Sequence, residues 1–464
     1  MSDNTHSNST RRQFMNNTSR IAAATTFAGL AVPNVHAAEN NTIQVALIGC
    51  GGRGTGAAAD ALSVKYGPIK LVAMADVFPH RLQASYNTLS RKFKPEQFDV
   101  PKERQFIGFD AYKKAIDSLS PGDVAIFTTP LTFRWVHFTY AIKKKVNVFM
   151  EKPLTADGPT SRRMIELGKQ ADANNLKVGV GLMSRHSRAM EEAYKRIRDG
   201  EIGDIISMRG YRMHGPGGSA FSEKWNGQGS ELMWQISRFH SFVWASGGCF
   251  NDFYIHIVDH LCWMKDAWPV KAQAVGARHY KNAKSGQPYV DQNFDNYSVE
   301  YTFADGTKMH MDGRCINGAE RIYSSYAHGT KGLAVLSSRG DVGLPSSIYK
   351  GQNVDPANMK WESKVDPRER NPKRNEWNDL VYAIRNDKPF NETERGVYAS
   401  LTSSLGRIAA HTGKEWTLEK LLNSEHEYAP GADKFTSDSP APLKSDSNGM
   451  YPVPQPGVVT DREF

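Results

Sequence analysis

From Ile43 onward the chain alternates short apolar runs with amphipathic stretches of helical length. "IQVALIG" reads as a strand and the alanine-rich segment after Gly54 as a helix. "IKLVAMAD" supplies the next strand. "DVAIFTTP" follows a helix around Tyr112 to Ser118, "VNVFMEKP" a helix containing His137, and "LKVGVGLM" a helix from Thr160 to Asn174. This strand, helix, strand rhythm predicts a doubly wound α/β domain over residues 43–183, with a parallel sheet and right-handed crossovers.

Beyond Ser184 the rhythm changes. "SRAMEEAYKRIRDGEIGDI" predicts an amphipathic helix stopped by Gly200. "ISMRGYRM", "VKAQAVGARHY", "YSVEYTFADGTKMHMDGRC" and "GLAVLSS" predict a mostly antiparallel sheet, with Asp305-Gly306 as a hairpin turn. Helices near Glu376 to Asn386 and Glu394 to Thr412 complete a C-terminal α+β domain over residues 184–428. The tail, 429–464, is rich in Pro, Ser, Asp and Gly and is expected to be a surface-hugging or flexible arm.

Composition narrows the function classes. The 464 residues suffice for two or three domains. The net charge of +9 is spread along the chain without a Lys/Arg block interleaved with aromatics, so no nucleic-acid partner is expected. Cys50, Cys249, Cys262 and Cys315 form no CxxC pair and read as small buried residues. Residues 1–42 have another character: Arg11-Arg12-Gln13-Phe14-Met15, an apolar run from Ile21 to Val32, then Val35-His36-Ala37. This is the pattern of a twin-arginine signal peptide and linker, cleaved near Ala37, and it predicts a periplasmic or otherwise exported protein that meets the twin-arginine export machinery already folded. No later segment is long and apolar enough for a stable membrane anchor.

The candidate chemistry begins with "VALIGCGGRG", where Gly49, Gly51 and Gly54 stand as G-x-G-x-x-G between a strand and a helix, with Gly52 and Arg53 inside the loop. The first glycine permits a tight turn, the second a close approach to a pyrophosphate, and the third close helix packing, the fingerprint of a Rossmann domain. Asp76 ends the second strand, where a carboxylate binds ribose hydroxyls and disfavours a 2′-phosphate. NAD is therefore expected over NADP. Glu151-Lys152-Pro153 lies at the carboxyl end of a later strand, where open α/β sheets bind ligands, and a lysine there donates to a hydroxyl or carbonyl oxygen as hydride moves.

The glycine loop, "TTPLTFRWVHFTYAI", "VFMEKPLTADG" and "GGCFNDFYIHIVDHLCWM" together resemble the glucose-fructose oxidoreductase and inositol dehydrogenase (Gfo/Idh/MocA) family from about Ile43 to about Thr417. The resemblance implies that Lys152 is catalytic and touches the cofactor. It also maps the family pattern Asp-x-x-x-His-x-x-Asp onto Asp252, His256 and Asp259. On a helix, Asp252 and His256 share a face, so His256 is expected as general base with Asp252 as its orienter or a substrate ligand, and Asp259 as a further substrate residue. Thr129, Pro130, His137 and Glu151 are assigned to the cofactor side, although Leu131 replaces the asparagine common after Thr-Pro in the family. "LMSRHSRAMEEAYKRIRDGEIGDI" looks like the exported, twin-arginine subgroup and offers Arg185 and His186 to a polar substrate. His256 and His260 stand four apart as a metal pair does, but no third ligand is apparent and no metal is expected.

Export with a dinucleotide implies a tightly held cofactor that returns to its starting state in each cycle. The primary expectation is an NAD(P)-dependent oxidoreductase moving hydride between that cofactor and a carbohydrate or polyol. The alternatives are a redox-neutral NAD-dependent glycosidase (oxidation, elimination, water addition, re-reduction) and a non-catalytic binding protein on the same fold. The family resemblance further implies a homo-oligomer built on the exposed face of the C-terminal sheet.

Overall fold

The computed structural model describes residues 41–464. The twin-arginine signal and its cleavage position near Ala37 lie outside the described residues. The N-terminal domain alternates β1 (Ile43–Ile48), α1 (Gly52–Ala61), β2 (Ile69–Asp76), α2 (Pro79–Lys92), β3 (Gln105–Ile107), α3 (Ala111–Asp117), β4 (Val124–Phe127), α4 (Arg134–Lys143), β5 (Asn147–Met150), α5 (Gly158–Ala173) and β6 (Val178–Val180). The strands pair in the order β3-β2-β1-β4-β5-β6, all parallel. Every residue of β4, β5 and β6 is buried, because helices cover both faces. Strand order reverses between β1 and β4, which opens a crevice at their carboxyl ends.

The second domain comprises α6 (Arg188–Arg198), β7 (Ile205–His214), α7 (Glu231–Ser237), α8 (Val243–Ser246), α9 (Ile255–Lys265), β8 (Lys271–Ala277), β9 (Asn296–Thr302), β10 (Lys308–Cys315), β11 (Ile322–Gly329), β12 (Gly332–Ser337), β13 (Ser347–Lys350) and β14 (Met359–Glu362). Helices α10 (Pro372–Arg385) and α11 (Thr393–Thr412), strand β15 (Trp416–Thr417) and α12 (Leu418–Leu422) follow. Its nine strands run β14-β13-β12-β11-β7-β10-β9-β8-β15. The sheet is antiparallel except between β7 and β10, and β11, β13, β14 and β15 add to the strands legible in the sequence. Residues of β10 alternate between buried and half-exposed, as a sheet covered on one face requires. The covering layer sits very close: a Cβ at Gly313 would lie 2.1 Å from the Tyr254 ring, and one at Gly210 would lie 2.3 Å from Ile257. These two glycines let the segment that carries Asp252 and His256 seat on the sheet.

Two findings revise the linear domain division. Helix α10 belongs to the N-terminal domain in space: Trp377 stacks on Phe149 with centroids 4.5 Å apart, and Leu380, Val381 and Ile384 join the core of Val45, Leu47 and Leu71. Second, the tail is anchored. Tyr451 packs on Trp234 and Phe242, and Glu463 is fully buried between Arg407 and His411, at 2.9 and 2.6 Å. No helix among the described residues is long and apolar enough to cross a membrane.

Candidate active site

The carboxyl ends of β1, β4 and β5 open onto a cavity of about 560 Å³ whose far wall comes from the second domain. Gly49 turns the chain after β1 with φ +97°, the left-handed region that glycine adopts without strain. A Cβ at Gly54 would stand 2.0 Å from the Gly49 carbonyl oxygen, so helix α1 requires glycine there to pack against the loop. At Gly51 and Gly52 an added Cβ would meet nothing within 4 Å. Both glycines line the cavity, so the backbone is left bare where a pyrophosphate needs close approach and where α1 begins.

Asp76 lines the same cavity, its carboxylate held by the amides of Cys50 at 2.6 Å and Phe78 at 2.8 Å. Burial raises its pKa, and those two amides counter the shift. Thr129, Pro130 and His137 form the wall after β4. The His137 imidazole is neutral, its pKa lowered to about 3 by burial and the adjacent Arg134 cation. Arg53 and Glu151 face each other at 2.6 Å, with Glu376 of α10 at 3.8 Å from Arg53. Burial raises both carboxyls; Arg53 pulls Glu151 below its ordinary range, while burial and the Glu151 charge leave Glu376 well above it. The bare loop, the ribose-side carboxylate and the aligned α1 amides fit a dinucleotide.

At the inner end Lys152 reaches across to the second domain. Its Nζ donates to the Asp252 carbonyl at 2.6 Å and stands 3.4 Å from Asp252 Oδ1. Asp252 Oδ2 lies 3.2 Å from His240 Nε2. Burial opposes ionisation of Asp252, but Lys152 and His240 outweigh it and hold the carboxyl far below its usual range. Asp252 sits in a π-turn, Phe250–Tyr254, immediately before α9. Such a turn widens the helix by one residue and frequently marks a functional site.

His256, from the next turn, also lines the cavity. Its pKa is lowered to about 4 by burial and the Lys152 cation, and its Nδ1 is buried without a hydrogen-bond partner. A neutral imidazole on the cavity wall can act as an acceptor. The carboxylate of Asp252 is engaged by Lys152 and His240, so it orients these two groups instead of orienting His256 as the helical spacing predicted.

Arg185, His186 and Asp259 are outside the cavity lining. Arg185 makes a two-pronged ion pair with the fully buried Asp259 at 2.8 and 2.9 Å. His186 is clasped by Asp379 at 2.8 Å and Glu392 at 3.1 Å. Against the cost of burial, those carboxylates raise its pKa to about 9. These are bonds that pin the domain junction. Sequence reasoning missed His240, Arg212, Asp341, Phe239 and Phe253, all on the cavity wall. Among the described residues no cluster of three or more His, Cys, Asp or Glu is placed to hold a metal ion.

Comparison with known proteins places this geometry among relatives. Residues 190–335 match the model described as the GFO/IDH/MocA C-terminal domain. An inositol 2-dehydrogenase of Corynebacterium glutamicum is 25% identical over 118 residues, 25% of this chain and 34% of that protein, so the match spans about a third of the relative's length. The crystal structure of aldose-aldose oxidoreductase from Caulobacter crescentus, complexed with glycerol, superposes with a TM-score of 0.61 at 16% identity, covering 81% of this chain and 100% of that one. Scyllo-inositol dehydrogenase from Lactobacillus casei, with bound NAD(H) and scyllo-inositol, superposes with a TM-score of 0.57 at 18% identity, covering 82% and 100%. Residues 190–335 are therefore similar to the GFO/IDH/MocA C-terminal domain, and about four-fifths of the chain shares the fold of these structures.

Proposed function

We propose that the protein is an oxidoreductase of the Gfo/Idh/MocA type that acts on a sugar or polyol with a nicotinamide cofactor, NAD in preference to NADP. The observation that carries this reading is the meeting of Lys152, Asp252 and the neutral His256 at the inner end of a cavity whose outer end is the bare glycine loop. In this reading Gly49, Gly51 and Gly52 hold the pyrophosphate, Asp76 the ribose hydroxyls, and Thr129, Pro130 and His137 the wall along the nicotinamide half. A bound nicotinamide would supply a two-electron hydride acceptor. Lys152 donates to the substrate oxygen and stabilises charge developing on it, with Asp252 fixing its Nζ. His256 takes the hydroxyl proton, since its imidazole is neutral and stands on the cavity wall with Lys152.

The Arg11-Arg12 leader supports export of the folded, cofactor-loaded chain, and a cofactor with no external pool must be regenerated in place. Oxidation of one sugar or polyol paired with reduction of a second compound at its carbonyl meets that requirement. So does transient oxidation followed by glycosidic elimination, water addition and return of the hydride, for which His256 is equally placed to remove the proton next to the new carbonyl. The test is to denature the purified mature protein and identify any released nucleotide by mass spectrometry, then to screen sugar pairs and aryl glycosides. Stoichiometric NAD is expected. A protein that neither carries nor binds a nicotinamide would overturn the reading and leave a binding protein on this fold.

A further inference from the structure

The cavity has a second charged pair that no step above uses. Arg212, on β7, is the cross-strand neighbour of Tyr323 on β11, and its guanidinium lies over that ring at 3.8 Å. Arg212 Nε is buried without a hydrogen-bond partner, and the Tyr323 hydroxyl faces Asp341 without a bond of ordinary geometry. Asp341 comes from the loop between β12 and β13, which is tied down on three sides: Gly340 N donates to Tyr323 O at 2.8 Å, Ser184 Oγ to Asp341 O at 2.6 Å, and Ser187 Oγ to Val342 O. Asp341 and Arg212 both line the cavity beside His256, and their charges act on each other. A guanidinium and a carboxylate on rigid supports at the cavity wall form a two-point grip for a ligand that both accepts and donates.

The charge balance says what that ligand is. Beside His256, Lys152 and Arg212 face Asp252 and Asp341, while the further cation of the lining, Arg134, has its guanidinium spent on the carbonyl oxygens of Phe127 and Thr129. A neutral vicinal diol accepts from the guanidinium and donates to the carboxylate, satisfying both without adding charge. A sugar carboxylate or phosphate brings an unmatched negative charge into a buried space that already holds two carboxylates, and specificity arises from that repulsion. We propose that Arg212 and Asp341 are the specificity-determining pair of this cavity, gripping two hydroxyls of a neutral polyhydroxylated ring and rejecting its sugar-acid counterpart. This rests on the sugar or polyol reading above and adds which sugars are taken and by which residues.

The test compares matched ligands that differ only at one carbon: glucose with glucuronate, and galactose with galacturonate. Binding to the full-length mature holoprotein is measured by calorimetry, and oxidation by the nicotinamide absorbance. The wild-type protein is expected to prefer the neutral member by at least about tenfold. Asp341→Asn should weaken the neutral sugars and narrow or invert that preference by a similar factor, whereas Arg212→Lys should raise KM for neutral sugars with little change in kcat. Retained nucleotide and an unchanged thermal midpoint show that each variant is folded. If neutral sugars bind and react but Asp341→Asn keeps the wild-type ratio, this inference is wrong and the oxidoreductase reading stands. If neutral sugars neither bind nor react with nicotinamide-loaded protein, both fall together.

Discussion

Two buried clusters in this protein are built from the same three kinds of group. At the cavity, Lys152, Asp252 and His240 assemble a cation, a carboxylate and an imidazole, with side chains 13 to 15% exposed. Beneath the tail, Arg407, Glu463 and His411 assemble the same set at 0 to 1%. The second cluster is closed by its neighbours: Arg407 also donates to Gly247 O at 2.8 Å and Ala156 O at 3.0 Å, and Tyr428 donates to Glu463. The first borders a cavity and leaves the neighbouring His256 Nδ1 without a partner. Composition therefore does not separate a reactive site from a structural one. What separates them is access, since a network enclosed on every side holds one geometry and one that borders a cavity leaves room for a ligand.

The closed cluster also has a reach that its position hides. Ala156 follows the Lys152 loop by four residues and Gly247 precedes Asp252 by five, so Arg407 ties together the two segments that bring Lys152 to Asp252. Ser404 adds to this bridge, accepting from Asn251 Nδ2 at 2.7 Å and donating to Ala156 O at 3.2 Å.

The sharpest way to break the comparison is to cut one member from each cluster and read turnover and stability side by side. Lys152→Met should lower turnover by about 10²- to 10⁴-fold while the chemical-denaturation midpoint changes little, because the cavity tolerates an apolar side chain there. Glu463→Gln should do the reverse, costing roughly 3 to 5 kcal/mol of unfolding free energy by leaving the Arg407 charge buried and unmatched. Equal effects of both cuts on turnover would mean that the two clusters form one functional unit.

The smallest effect expected is in pH. His256 has its pKa lowered to about 4 from an ordinary 6.5, so it binds fewer protons folded than unfolded between those values, and stability should fall as pH drops through that window. His186, raised to about 9, works oppositely: its contribution is complete below about pH 6.5 and is lost as pH rises through 9. Denaturation midpoints measured from pH 4 to 9.5 should therefore decline toward both ends. His256→Asn should make the acid side shallower without flattening it, because His137 and His260 are lowered in the same way, and His186→Asn should act on the alkaline side alone.

Much of this was open to reading along the chain. The strands around the crevice, the glycine loop and Asp76 follow from local rules: apolar runs between amphipathic helices, glycine where φ is positive or a Cβ collides, an acid at the end of the second strand. Lys152 was legible because a strand end fixes where a side chain points. Asp252 and His256 were legible as positions through their spacing, but not in their roles, because the π-turn and the competing partners of Asp252 have no sequence signature. His240, Arg212 and Asp341 left no local trace. Each stands on a different segment, and nothing within a few residues of any of them marks it as part of a site.

The sequence by itself determined the parallel α/β unit, the dinucleotide loop and the antiparallel second sheet, since these rest on backbone sterics and on periodicities of two and about 3.6 residues that act over short stretches. Tertiary structure alone decided that α10 joins the N-terminal core, that Glu463 enters the interior, that Arg185 and Asp259 bind each other, and that Lys152 meets Asp252 one hundred residues away. The physical reason is that an ion pair or a buried contact is fixed by distance in space and by the desolvation both partners share. Neither quantity exists until the chain has folded.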